Sequence, residues 1–204
     1  VEPAPKSPSN IAKRIEFPAG DVDALVGLHT SAVRQRIVRA VGGQLPFVYT
    51  PLYEGGERTP GVFAIGETSA QQLRPVIKWL SERKHPKRWY FVGNDYVWPH
   101  VAHRVARRCV SDNGASVVGE VFLPFGTTDY SQVLDQIRRT GCDAVMLSLI
   151  GQDEVDFNRA FGRARLATGA LRLSSVIAEN ELLGIGAENT ENLYVAAGYF
   201  ADLD

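Results

Sequence analysis

The chain has 204 residues, 45% of them hydrophobic and 22% charged, with a formal net charge of -1. That length allows one large domain or two small lobes with a core, and the charge balance removes any electrostatic case for nucleic acid or an anionic membrane as partner. No apolar run approaches the roughly 20 residues that span a bilayer, and two cysteines, Cys109 and Cys142, are too few and too far apart for a zinc site or a disulfide scaffold.

Residues 1–10 (VEPAPKSPSN) are Pro- and Ser-rich, with neither an initiator Met nor a signal peptide, and are expected to be a flexible terminus, a processed end or the edge of a fragment. Residues 11–15 are expected to be the remnant of a helix. Residues 21–28 (DVDALVGL) read as a strand, followed by His29, Thr30 and Ser31 and a helix over 32–41. Its apolar positions Val33, Ile37, Val38 and Val41 fall at helical spacing, Ser31 is the expected N-cap, and Gly42-Gly43 stops it. A short strand at 46–49, a Pro/Gly-rich loop (TPLYEGGERTPG) and a strand at 62–65 follow.

An amphipathic helix is predicted over 69–83, with Leu73, Val76, Ile77 and Leu80 on one face. WYFVGNDYVWP comes next, an apolar strand that ends at Gly93 in a polar, aromatic turn before Pro99 opens a helix to 113. Strands at 116–123, 143–150, 171–177 and 193–197 alternate with helices beginning near Asp129 or Ser131, at Asp153 and at Glu179. The run DAVMLSLI is continuously apolar, as a central parallel strand is. This alternation predicts an α/β fold, a parallel sheet with helices on both faces. Right-handed crossovers then place every strand's C-terminal end on one rim. Asn94-Asp95-Tyr96, the PFGTTD turn, Gly151-Gln152-Asp153 and Ala178-Glu179 are expected along it.

No Gly-rich phosphate loop, HExxH or paired CxxC is present, so the sequence gives no support for a nucleotide, a metal or any cofactor. Ser31 lies outside a GxSxG elbow. With His29 two residues away and no third group, a hydrolase reading lacks its triad. His85, His100 and His103 read as surface or helix-face histidines. What remains is a set of hydroxyls, aromatics and carboxylates at strand ends: Thr30, Ser31, Tyr49 and Thr50 in the first part, Asp95, Tyr96, Trp98 and Glu179 in the second. Such groups suit a small polar ligand rather than a reaction.

GLHTSAVRQ, VYTPLYEGG, VFAIGETSAQQLRP, WYFVGNDYVWP, GEVFLPFGTTDYSQVLDQI, DAVMLSLIG and AENELLGIGAENTENLYVAAGYF occur in this order. Together they resemble the type I periplasmic-binding-protein family, with the amide and urea receptors as the nearest branch and branched-chain amino-acid receptors as relatives. The resemblance implies two α/β lobes joined by a hinge of crossing strands and closing on a ligand. By that resemblance residues 1–66 belong to a first lobe, 67–197 form a second, and 198–204 lead back toward the first. Because family members carry more strands before Asp21 and a return after Asp204, the first lobe reads as truncated. The implied ligand contacts are His29, Thr30, Ser31, Tyr49, Thr50, Asp95, Tyr96 and Trp98, with Glu179; His29 stands where family members often carry an aromatic. The implied function is capture of urea, a short amide or an amino acid for an ABC-transporter permease, outside the cytoplasm and without catalysis or membrane insertion. The alternative is a cytoplasmic ligand sensor controlling a partner protein.

Overall fold

The computed structural model describes residues 22–201. The expectations for residues 1–10 and 11–15, the start of the first predicted strand and the end of the returning segment lie outside the described residues. The described part divides into two units. One holds the residues up to Pro51 together with Gly56–Gly66; the other holds Leu52–Gly55 and the residues from Glu67 onward. The short segment Leu52–Gly55 belongs to the second because Tyr53 bridges to Thr68 and Leu52 packs on that unit's core.

The first unit is a three-stranded parallel sheet, β1 (Leu25–Gly27), β2 (Phe47–Tyr49) and β3 (Val62–Ala64), in spatial order β1-β2-β3. Helix α1 (Ser31–Val41) makes the crossover from β1 to β2. Gly42 closes α1 in the left-handed conformation, its N–H donating to Val38 O, as the Gly42-Gly43 pair predicts. Ser31 is the first helical residue rather than the cap; Thr30 takes the cap position, with extended backbone and no side-chain cap bond.

The second unit opens with α2 (Ser69–Arg83), then alternates β4 (Arg88–Asn94), α3 (Val97–Asp112), β5 (Ser116–Leu123), α4 (Ser131–Thr140), β6 (Ala144–Ser148), α5 (Gln152–Arg163), β7 (Leu171–Ser174), α6 (Glu179–Ile185) and β8 (Leu193–Val195). A 3-10 turn at Ala187–Asn189 leads into β8. All pairings are parallel, in order β5-β4-β6-β7-β8. The period-2 alternation of side chains sorts the core. Trp89, Phe91, Ala144, Met146, Leu171 and Leu173 meet α2 and α3 on one face. Tyr90, Val92, Val145 and Leu147 meet α4 and α5 on the other. Covering both faces is why these strands read as continuous apolar runs.

Two expectations shift. Helix α3 begins at Val97, two residues before Pro99, because a proline in the first turn lacks only an N–H that would be unpaired there. His103, expected at the surface, is 1% exposed, since it lies on the α3 face that meets β4 and β5. Cys109 and Cys142 are free and buried, on opposite faces of the sheet. Among the described residues no helix is long and apolar enough to cross a membrane.

Candidate functional site

In the second unit the chain leaves β4 and goes first to β5 on one side, then to β6 on the other. This reversal makes the C-terminal ends of β4 and β6 the switch point, where open α/β sheets bind ligands. Asn94, fully buried, sits there. Its amide donates to Asp153 Oδ2 at 2.6 Å, and its oxygen accepts from Ile150 N at 2.9 Å. Asp153, also buried, accepts in addition from the backbone N–H of Gly126 at 3.1 and 3.2 Å. The Asn94 amide and the Asp153 carboxylate together tie the end of β4, the residues after β6, the start of α5 and the turn after β5 into one framework.

On this framework stand the candidate contacts. Asp95 is exposed and its Oδ1 lies 2.8 Å from His100 Nε2, while its N–H donates to Leu123 O. Tyr96 is half-buried at the N-cap of α3, its ring 5.2 Å from that of Phe125 and 6.2 Å from that of Trp98. Trp98 is 1% exposed and belongs to the core with Trp89 and Ala102. The early start of α3 turns it inward, so Trp98, expected as a direct contact, lies beneath Tyr96 in the core rather than on an open surface. Glu179, the first residue of α6, accepts from Ala201 N at 2.5 Å. That bond holds its carboxyl below the usual range.

In the first unit, β1 ends at Gly27 and the chain passes through His29, Thr30 and Ser31 into α1. The Tyr49 hydroxyl donates to His29 O at 2.7 Å, and Thr50 donates to Gly27 O through both its N–H and its Oγ1. Tyr49 is 1% exposed, so these two residues shape the turn from beneath. The His29 ring packs on Phe47 and Tyr49, its Nδ1 3.2 Å from Thr30 O and its Nε2 against Gly27, where an added Cβ would lie at 2.5 Å. Neither ring nitrogen is bonded to Ser31 among the described residues, which leaves the hydrolase reading without its first contact. Ser31 is 3% exposed at the first turn of a helix that has neither a side-chain cap nor an acidic residue in that turn. The first-turn N–H groups and the positive end of the helix suit a carboxylate or an amide oxygen.

Sequence reasoning missed Phe125, Asn94 as a framework residue, and the tie made by Asp153. A large aromatic between Pro124 and Gly126, in a turn with no place in any core periodicity, was the available signal for Phe125.

The Periplasmic binding protein family model matches residues 17–204. The fold is also that of several solved structures. A periplasmic binding protein from Burkholderia mallei matches with a TM-score of 0.74 at 20% identity, over 85% of this chain and 47% of its own. An amino acid ABC transporter substrate-binding protein from Pseudomonas fluorescens Pf-5 matches with 0.72 at 14%, over 88% and 50%. An ABC transporter solute-binding protein from R. palustris, in complex with 4-hydroxybenzoate, matches with 0.68 at 23%, over 81% and 47%. The chain therefore spans about half the length of these structures. With its parallel sheets, its switch-point rim and a family model that matches nearly its whole length, this chain belongs to the periplasmic binding protein family.

Proposed function

We propose that the chain is part of a receptor that captures a small organic solute outside the cytoplasm and delivers it to an ABC-type permease. The observation that carries this reading is the composition of each unit's strand-end rim, where hydrogen-bonding groups and aromatic surface are held in place. In the first unit the uncapped start of α1, at Thr30 and Ser31, offers N–H groups to a carboxylate or amide. In the second, Asp95 and Glu179 offer acceptors for an ammonium or amide N–H, and Tyr96 with Phe125 offers apolar surface. Taken unit by unit, the first rim suits a carboxylate or amide end, and the second suits an ammonium or amide N–H on a compact apolar body. Amino acids, short amides, urea and aromatic carboxylates all qualify. The relatives named above as an amino acid transporter component and as a complex with 4-hydroxybenzoate support the acid end of that range.

Calorimetry on the full-length protein tests it, with leucine, phenylalanine, benzoate, 4-hydroxybenzoate, acetamide and urea. Saturable binding of at least one is expected. Binding lost on Tyr96→Ala, by about 1–3 kcal/mol, and unaffected by Arg108→Ala on the exposed face of α3 would match the rim assignment. No binding of any member overturns the receptor reading.

A further inference from the structure

Phe125 is 45% exposed. Its position is nevertheless fixed. The preceding strand ends at Leu123, whose carbonyl takes the Asp95 N–H at 2.8 Å. The following residue, Gly126, has φ +77, a left-handed conformation that favours glycine, and its N–H is held by the buried carboxylate of Asp153. Thr127 Oγ1 donates to Pro124 O at 2.7 Å and closes the turn across Phe125. The ring stands 5.2 Å from Tyr96 at an interplanar angle of 36°. Two aromatic rings on two adjacent strand ends thus form one apolar wall on the ligand-binding rim, with Trp98 supporting Tyr96 from below. Tyr96 packs against the core cluster on the α2–α3 face, whereas Phe125 belongs to neither core cluster.

We infer that Phe125 is a specificity-determining contact, which with Tyr96 selects solutes carrying a planar apolar ring over aliphatic or wholly polar ones. The inference rests on the receptor reading above and deepens it by naming the class of solute body. A flat ring gains from both aromatic faces at offset-stacked or edge-to-face distance, whereas an aliphatic chain gains only burial. Asp153 is the positioning residue, acting through Gly126.

The test compares the affinities of the full-length protein for benzoate and phenylalanine with those for leucine and acetamide, in wild type and in Phe125→Leu and Phe125→Tyr. Leucine keeps the apolar volume and removes the ring; tyrosine keeps the ring. Wild type is expected to prefer the ring-bearing solutes. Phe125→Leu is expected to weaken them about 3- to 10-fold, to leave leucine or acetamide within about twofold, and to leave the melting temperature unchanged. Phe125→Tyr is expected to retain the preference. Equal loss across all solutes in Phe125→Leu, or no loss for the ring-bearing ones, overturns the role of Phe125 while leaving the receptor reading in place. So does a wild type that prefers leucine. A wild type that binds no member of the panel overturns the receptor reading itself.

Discussion

His103 lies on α3 with its ring against Phe91 and Phe122 and its Nδ1 2.9 Å from Glu120 Oε1. Burial pushes its pKa down to about 4, outweighing the pull of the Glu120 hydrogen bond; Arg107 and His100 push the same way as burial. At neutral pH the imidazole is therefore neutral, donating from Nδ1, and the contact is a hydrogen bond rather than an ion pair. Its Nε2 faces Gly93, where an added Cβ would meet it at 3.1 Å and Pro99 Cβ at 2.9 Å. The unfolded chain takes up a proton near pH 6.5, while the folded chain resists until about 4. This contribution to stability is thus complete above the unfolded value and is lost as pH falls from 6.5 through 4. The upper bound is about 3 kcal/mol. His103→Gln, which keeps a donor for Glu120 but cannot titrate, should lose less melting temperature than the parent between pH 7 and pH 4.5. Parallel melting curves over that range would reject the assignment. Sequence periodicity put His103 on a helix but could not tell which side of α3 faces the sheet.

Gly119, in the middle of β5, is an element-scale constraint. A Cβ there would stand 2.2 Å from Tyr90 Cε2, and the β4–β5 register shifts beside it, between Trp89 and Tyr90. The glycine lets the Tyr90 ring lie flat across the edge strand and reach Gln136 Oε1 at 2.7 Å. Gly119→Ala should therefore cost about 1–3 kcal/mol in urea denaturation; a cost under 0.5 kcal/mol would show that Tyr90 swings away freely. The residue bounds of α2, β5 and α6 follow from the sequence as read, because each has its own start and stop signals. Thr68 and Gln71 form a capping box at α2, and Gly114 lies just before β5. α3 shows where local signals mislead. Pro99 marks the first turn of the helix but not its first residue, and the two-residue difference carries Trp98 from a rim into the core.

The two units differ in how much core they own. In the second, two large clusters cover both faces of the sheet, and Arg172, fully buried over Phe161, ties β7 to Asn158, Asn189 and Glu191. Nearby, burial raises the Glu154 carboxyl far above the usual range, despite its bond to Asn158 and the charge of Arg172. Among the described residues of the first, buried apolar side chains are few: Val41, Phe47 and Tyr49. Val26 and Phe63 are 75% and 55% exposed, and both lie in register with Val48 on one face of the sheet. Parallel sheets are ordinarily covered on both faces. In this 204-residue chain, hydrogen exchange should accordingly be slowest at amides of β4 and β6, such as Phe91, Val92, Val145 and Met146. It should be faster by at least about tenfold in β1, β2 and β3. Comparable protection in both units would contradict this account.

The amino-acid sequence by itself determined the α/β class, the order of elements in the second unit and the polar character of its strand ends. Those properties are written in local periodicity, glycine and proline stops, and ordered motifs. Tertiary structure alone decided which side chains the rim presents. Trp98 and Tyr49 were consumed by packing, Phe125 was left exposed, and Asn94 and Asp153 joined segments some 60 residues apart in the chain. Such choices depend on which face of an element meets the sheet and on where a buried carboxylate finds its donors. Both are long-range facts that no local pattern encodes.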